Sequence, residues 1–182
     1  MTMRAAGASL DVNWLKEGIR DIPDFPKPGI LFRDITPLLK DPQRFRAVIG
    51  AWVERYRSQR LTAIAAIEAR GFMLGGALAH ALGVGLIPVR KRGKLPWDTH
   101  EVTYDLEYGT DTVEMHRDAV AAGDRVLIVD DVLATGGTSL ATAQLVQQLR
   151  GDVVELAFLI ELVALHGRER LKGLAITALL QL

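Results

Sequence analysis

One stretch in the second half of the chain strongly limits the folds that this sequence can adopt. Residues 125–130 read as a strand whose apolar residues, 126–129, are followed by Asp130 and Asp131. A loop with small and hydroxylated residues comes next, and residues 139–149 carry apolar side chains at helical spacing. A strand, a tight loop and a helix in this order are typical of α/β proteins. Ligands bind such sheets beyond the carboxyl ends of the strands. We therefore expect a binding site where this strand meets its helix.

The same alternation recurs along the rest of the chain. Apolar runs predict strands at 63–67, 85–89, 153–162 and 175–179, and helical spacing predicts helices at 42–56 and 72–82. Apolar residues that alternate on both sides of the Gly109-Thr110 turn predict a β-hairpin. The sequence therefore predicts an α/β fold, with a single-domain, twisted, mainly parallel sheet flanked by helices.

Two local features complete the expected structure near the N-terminus. Three prolines between Asp21 and Gly29 predict a stiff, extended loop. Asn13 is the expected N-cap of a short first helix, and Asp41 before Pro42 is typical of the start of the next long helix.

Composition narrows the classes of function. Lysine plus arginine and aspartate plus glutamate number 22 each, so the formal net charge is zero, which argues against a nucleic-acid partner. The absence of cysteine excludes a disulfide framework and a thiolate metal site. No apolar stretch has the length of a membrane span or a signal peptide, so we expect no membrane partner and a cytoplasmic location.

No metal site in the protein is expected from the spacing of its histidines. His80, His100, His116 and His166 are scattered along the chain, and none belongs to a group with metal-ligand spacing.

The loop after the apolar run has the properties of a phosphate-binding site. Gly136 and Gly137 allow the backbone to approach a ligand closely, and the start of a helix presents N–H groups and its positive dipole end. The hydroxyls of Thr135 and Thr138 are further donors. The loop lacks the Gly-Lys-Ser/Thr ending of a Walker A motif.

Asp130 and Asp131 must serve another purpose, since carboxylates repel phosphate. They are suited to accept hydrogen bonds from the vicinal hydroxyls of a ribose whose 5′-phosphate occupies the loop. The alternative is a capped helix after a glycine turn, with two solvated aspartates at the end of the strand; the complete string of residues favours ligand binding over it.

Five segments of this sequence resemble adenine phosphoribosyltransferases, within the type I phosphoribosyltransferases. Residues 126–139 are similar to the phosphoribosyl pyrophosphate (PRPP) signature of type I enzymes, and residues 24–37 resemble the base-binding segment of the adenine-specific family. Residues 68–72, 90–96 and 104–109 also match that family's patterns, in that family's order.

The resemblance implies a fold, a reaction and partners. It implies the type I phosphoribosyltransferase fold, with a small N-terminal hood and base-binding segment at 1–40, a core at 41–182 and a flexible β-hairpin lid. It implies transfer of the 5-phosphoribosyl group of PRPP to N9 of adenine, which gives AMP and pyrophosphate. Mg²⁺ is the implied cofactor, held mainly by PRPP and water, and a homodimer is the implied assembly.

The resemblance also assigns roles to individual residues. Glu107 is the implied acid/base on the purine, and Arg70 is implied to bind the pyrophosphate. The other implied ligands are Ala134, Thr135, Gly136, Gly137 and Thr138 for the phosphate, Asp130 and Asp131 for the ribose, Lys91, Lys94 and Tyr108 for the pyrophosphate and lid, and Leu31, Phe32, Arg33 and Leu162 for adenine.

Two alternatives remain open at the level of sequence. A transferase for hypoxanthine, guanine or xanthine would need a side-chain donor for the 6-oxo group, and no lysine follows Asp130-Asp131 closely. A PRPP-sensing regulator would need a nucleic-acid-binding surface, which the neutral charge disfavours.

Overall fold

The structure of the protein is a computed structural model that describes residues 10–105 and 109–182. The chain forms two compact units, with the boundary between Ala51 and Trp52. Within the described ranges, no helix is both long and apolar enough to cross a membrane.

The N-terminal unit combines short helices with a two-stranded sheet. Its elements are α1 (Val12–Lys16), β1 (Arg20–Pro23), β2 (Leu31–Asp34), α2 (Thr36–Lys40) and the first part of α3 (Pro42–Tyr56). β1 and β2 pair antiparallel, so that Ile22 lies opposite Phe32. Leu15, Ile35, Leu38 and Val48 are fully buried.

Three local predictions for this unit can be compared with the structure. The Asp41 side chain accepts hydrogen bonds from the N–H groups of Gln43 and Arg44, which confirms the predicted start of α3. The cap of α1 is Asp11 rather than Asn13, since the Asp11 carboxylate accepts from the Trp14 N–H. The extended loop predicted from Asp21 is wrong at its start, because β1 runs to Pro23, and proline is tolerated in an edge strand such as β1.

Trp52–Leu182 forms a unit built on one mixed sheet of seven strands. The strands are β3 (Ala63–Ile67), β4 (Gly85–Lys91), β5 (Thr99–Asp105), β6 (Thr110–His116), β7 (Arg125–Leu133), β8 (Asp152–Glu161) and β9 (Ile176–Gln181). Their order across the sheet is β5-β6-β4-β3-β7-β8-β9, and the five strands from β4 to β9 in this order are parallel. β6 pairs antiparallel with β4 and with β5.

Helices cover the two faces of this sheet. β3 shows the division, because Ala63, Ala65 and Ile67 pack in one buried cluster with residues of α5 (Gly137–Gln148). The alternate residues Ile64 and Ala66 lie next to α4 (Arg70–Leu82). Since successive side chains of a strand point to opposite faces, α4 and α5 lie on opposite sides of the sheet.

The connections at the end of the chain are short. A 3₁₀ turn at Val163–Leu165 and the four-residue helix α6 (Gly167–Arg170) join β8 to the last strand. The arrangement of parallel strands and helices confirms the predicted α/β class.

Candidate active site

The predicted phosphate loop lies between β7 and the N-terminus of α5. Residues 134–136 leave the strand, and α5 begins at Gly137. Gly136 precedes the helix with φ +81°, a left-handed conformation that glycine adopts without strain. This geometry brings Ala134–Thr138 to a helix N-terminus, where N–H groups lack partners within the helix.

The two carboxylates lie within β7 rather than after it. The predicted strand end at Asp130 is wrong, because β7 continues to Leu133 and pairs with β8 as far as Leu133 opposite Glu161. The neighbouring strand thus extends β7 by three residues, which the sequence of β7 alone does not reveal.

Asp131 is almost completely buried and forms an ion pair with Arg70. Its residue exposure is 4%, and the Nε of Arg70, the first residue of α4, donates to its Oδ2. The ion pair therefore joins the predicted ribose ligand directly to the predicted pyrophosphate ligand.

Asp130 lies beside this pair in surroundings that oppose its charge. Its Oδ1 accepts a hydrogen bond of 2.8 Å from the Asp131 N–H. Burial of the carboxyl group, followed by the negative charge of Asp131, raises the pKa of Asp130 well above its ordinary value. The strand thus holds one carboxyl with a charged partner and one whose ionisation is disfavoured.

The hairpin of β5 and β6 contacts the phosphate loop through Tyr104. The Thr138 hydroxyl donates to the Tyr104 hydroxyl at 2.8 Å, and Tyr104 donates in turn to Asp111 at 3.4 Å. Asp111 also forms an ion pair of 3.0 Å with Lys91. A continuous chain of polar contacts therefore runs from Lys91 to Thr138.

Lys91 and Lys94 occupy different positions around the end of β4. Lys91 is the last residue of β4, and its hydrogen bond with Asp111 raises the pKa of its ammonium group. Lys94 lies in the turn that follows, and its N–H donates to the Lys91 carbonyl at 3.2 Å.

The predicted adenine ligands Leu31, Phe32 and Arg33 are consecutive residues of β2. The ring of Phe32 packs edge-on against Phe25 with ring centroids 5.2 Å apart, and Arg33 forms an ion pair with Asp21. Leu162, the other predicted adenine ligand, follows β8, and its N–H donates to the Leu133 carbonyl at 2.9 Å.

Glu107 and Tyr108 lie outside the described residues. The hairpin strands on either side of them run to Asp105 and from Thr110.

Sequence reasoning missed the polar residues that hold the site together. Apolar alternation predicts only that Tyr104 is an apolar position of the hairpin, and it marks neither Asp111 nor Glu114. The observed register of β5 and β6 places Asp111 opposite Tyr104, whereas a turn at Gly109-Thr110, as predicted, would have paired Tyr104 with a residue further along β6. The contact between Tyr104 and Thr138 joins residues 34 apart and has no counterpart in local sequence.

The α/β fold, together with the phosphate loop at the N-terminus of α5, is typical of proteins that bind nucleotides or sugar phosphates. Residues 34–174 match the family model described as "phosphoribosyl transferase domain", and the chain therefore belongs to the phosphoribosyltransferase family.

Individual relatives narrow this class to adenine phosphoribosyltransferases. The chain is 58% identical to the adenine phosphoribosyltransferase of Solibacter usitatus, over 92% of this chain and 96% of that protein. It is 55% identical to that of Carboxydothermus hydrogenoformans, over 92% and 98%.

Solved structures agree with the curated relatives. The adenine phosphoribosyltransferase of Rhodothermus marinus superposes with a TM-score of 0.91 at 55% identity, over 94% of this chain and 98% of that chain. The enzyme of Saccharomyces cerevisiae, solved with adenine and an imino-altritol bisphosphate, superposes with a TM-score of 0.87 at 40% identity, over 92% and 97%. The family predicted from the sequence is thereby confirmed.

Proposed function

We propose that the protein transfers the 5-phosphoribosyl group of PRPP to N9 of adenine, giving AMP and pyrophosphate for purine salvage. The observation that carries this function is the strand–loop–helix unit of β7 and α5, in a chain whose adenine phosphoribosyltransferase relatives match it over nine-tenths of its length. The reaction breaks the bond from C1′ to the pyrophosphate oxygen and forms a bond from C1′ to N9, while the proton of N9 passes to an acceptor.

The phosphate loop binds the 5′-phosphate of PRPP in this proposal. The N–H groups of residues 134–138 and the Thr135 and Thr138 hydroxyls donate to the phosphate oxygens, and the dipole of α5 favours the negative charge. Because the Thr138 hydroxyl donates to Tyr104 in this structure, phosphate and Tyr104 compete for a single proton.

Asp130 and Asp131 accept hydrogen bonds from the ribose hydroxyls. Arg70, which forms an ion pair with Asp131, binds the pyrophosphate in this proposal, and Lys91 and Lys94 bind it from the β4 side.

The residues of this site suit a Mg²⁺ ion that is carried by PRPP. In the described ranges, no cluster of three His, Asp or Glu side chains could form a protein cage, and Asp131 is engaged by Arg70. Mg²⁺ usually keeps several waters and binds substrate phosphates, so PRPP and water would supply most of its ligands here. When bound, the ion neutralises charge on the departing pyrophosphate.

Glu107 acts on the purine, and Tyr108 belongs to the lid that covers the pyrophosphate. A carboxyl group near the purine ring can take up or return a proton as charge develops on the base. Leu31, Phe32, Arg33 and Leu162 bind adenine in this proposal. The assignments of Leu31, Phe32, Arg33, Glu107 and Tyr108 rest on the family resemblance of residues 24–37 and 104–109, and that of Leu162 on the general resemblance to the family.

The same resemblance supports two further properties. We infer a homodimer, which light scattering coupled to size-exclusion chromatography would measure directly. We also infer a cytoplasmic enzyme, because purine salvage draws on the PRPP of the cytoplasm.

The decisive experiment supplies Mg²⁺, PRPP and one nucleobase at a time, and detects the nucleotide by chromatography. We expect AMP from adenine and, at equal concentration, little product from hypoxanthine, guanine or xanthine. Asp131→Ala, purified in the same way, controls for a contaminating host enzyme, since its KM for PRPP should rise at least tenfold if Asp131 binds the ribose. Preferential use of a 6-oxopurine would refute the assignment of adenine, and absence of any turnover together with a shift of labelled RNA or DNA in a gel would favour a regulator.

A further inference from the structure

The turn that carries Lys94 has an unusual neighbour for a site that binds anions. A buried glutamate, Glu114 of β6, lies directly beneath the backbone of this turn, and its exposure is only 3%. A negative charge this close to Arg90, Lys91, Arg92 and Lys94 weakens the attraction of the turn for pyrophosphate. The benefit of Glu114 must therefore come from something other than its charge.

We propose that Glu114 is a positioning residue, whose carboxylate fixes the backbone around Lys94 in the conformation that binds pyrophosphate. This inference rests on the proposed function, in which Lys94 binds pyrophosphate.

The contacts of Glu114 are with backbone on both sides of the Lys94 Cα. Its Oε1 accepts from the Lys94 N–H at 2.8 Å and from the Leu95 N–H at 2.7 Å, and its Oε2 lies 3.5 Å from the Thr99 hydroxyl. Two charge-assisted hydrogen bonds to one oxygen hold consecutive N–H groups in the same direction. The Lys94 side chain takes part in none of these contacts and remains exposed.

The carbonyl of Lys94 is held from the other side. Nη1 of Arg90 donates to the Lys94 carbonyl at 2.9 Å, and Nε of Arg90 donates to Glu68 at 2.7 Å. Glu68 lies two residues before Arg70, so one chain of contacts joins the Lys94 turn to the segment that carries the other proposed pyrophosphate ligand. Glu114 anchors the far end of this chain.

The turn needs such an anchor because its own sequence does not fix it. Gly93 adopts φ +78° and Pro96 has no N–H, so the turn between β4 and β5 contains few backbone hydrogen bonds of its own. Burial raises the pKa of Glu114, but the N–H groups of Leu95, Gly93 and Lys94 outweigh this effect and hold it below its ordinary value. The carboxylate is therefore ionised, and a full acceptor, at neutral pH.

Steady-state kinetics on four variants test the proposal. Glu114→Ala removes the acceptor, Glu114→Gln keeps an acceptor oxygen without the charge, and Lys94→Ala removes the proposed ligand itself. Glu101→Ala is the matched control, because Glu101 lies opposite Glu114 in the hairpin and contacts the same turn through the Arg92 side chain, at 3.2 Å.

We expect KM to change for the two substrates that carry a pyrophosphate group, PRPP and pyrophosphate itself, and not for adenine. For Glu114→Ala, KM for PRPP and, in the reverse reaction, KM for pyrophosphate should rise about tenfold, with kcat and the KM for adenine within about twofold of wild type. Glu114→Gln should restore most of the affinity, and Glu101→Ala should match wild type. If Glu114 acted only through its charge, Glu114→Ala and Glu114→Gln would both bind pyrophosphate more tightly.

Two results separate the failure of this inference from the failure of the site assignment. An unchanged KM for PRPP in Glu114→Ala, alongside a raised KM in Lys94→Ala, would overturn the positioning role of Glu114. An unchanged KM in Lys94→Ala would overturn the role of Lys94 itself. If Glu114→Ala is unfolded at the assay temperature, Glu114→Asp, which withdraws the carboxylate by about one bond length, supplies the same comparison.

Discussion

At the scale of single residues, Asp130 shows how a binding site can cost stability. Because its pKa is raised, the folded protein prefers its protonated form; the resulting stability is present below the ordinary Asp value of 3.8 and is lost as pH rises through the raised value. The charged form of the Asp130 carboxyl is therefore an unfavourable feature of the fold. It is retained, in our proposal, because ribose hydroxyls need an acceptor there.

Asp130→Asn should accordingly stabilise the protein while weakening the binding of AMP. An asparagine oxygen can still accept from the Asp131 N–H, so we expect a gain on the order of 1 kcal/mol at pH 7 and a loss of AMP affinity of about tenfold. Thermal melts and calorimetric titration with AMP measure the two quantities. Asp118→Asn, at an exposed position, is the control; a lower melting temperature for Asp130→Asn would show that the Asp130 charge stabilises the fold.

Glu107 should affect catalysis rather than the binding of PRPP. Its proposed role is to exchange a proton with the purine, which matters in the transition state, so Glu107→Gln should lower kcat by about 10²-fold or more with PRPP affinity within about threefold of wild type. Stopped-flow turnover and equilibrium binding of PRPP separate the two effects. Equal losses in both would instead assign Glu107 to binding.

At the scale of elements, the phosphate loop depends on the turn after β8. The backbone of Gly167, at the start of α6, lies so close to the loop that a Cβ placed on it would clash with the Ala134 carbonyl and lie 2.9 Å from Leu133 Cδ1. Arg168 fixes this turn through hydrogen bonds of 2.6 and 2.8 Å to both carboxylate oxygens of the buried Glu161. The shape of the phosphate loop is thus set partly by a segment about thirty residues later in the chain.

Gly167→Ala should therefore displace the phosphate loop without a direct contact with any substrate. We expect KM for PRPP and Kd for AMP to rise about tenfold, with a loss of about 1–3 kcal/mol of stability, because the added methyl group overpacks the contact. Gly76→Ala is the control, since a Cβ there meets only Leu86 Cδ2 at 3.8 Å, an ordinary contact distance. Unchanged AMP affinity in Gly167→Ala would show that the loop keeps its shape independently of α6.

Elements were predictable from sequence where hydrophobic periodicity determines them. The strand at Ala63–Ile67, the helix at Pro42–Tyr56 and a hairpin in this region were expected from apolar spacing and turn residues. The predicted turn at Gly109-Thr110 is wrong in position, because Thr110 is the first residue of β6 and pairs with Asp105. The end of β7 was not predictable, because it depends on pairing with β8. β1 was not predictable either, because its proline-containing sequence does not indicate a strand and forms one only by pairing with β2. The partners of Asp131 and Glu114 lie 61 and about 20 residues away, and only the assembled sheet brings them together.

At the scale of the whole molecule, buried carboxylates connect the sheet to its surroundings and make its stability depend on pH. Glu155 of β8 accepts from Arg55 of α3 at 2.7 and 3.0 Å and from Thr177 of β9 at 2.6 Å. Burial raises the pKa of Glu155, but the hydrogen bonds from Arg55 and Thr177 outweigh it and lower the pKa below 4.5. The hydrogen bond from Arg168 likewise lowers the pKa of Glu161.

Glu155→Gln tests this coupling by its dependence on pH. A lowered pKa stabilises the fold fully above the ordinary value of 4.5, and the stabilisation is lost as pH falls through the lower value of the folded protein. Urea denaturation should therefore show the variant about 1–3 kcal/mol less stable than wild type at pH 7, with the difference shrinking toward pH 3. Glu54→Gln, which breaks an exposed ion pair with Arg57, should cost at most a few tenths of a kcal/mol. A difference that stayed constant from pH 7 to pH 3 would mean that Glu155 stabilises the junction of α3, β8 and β9 by its shape, not by its charge.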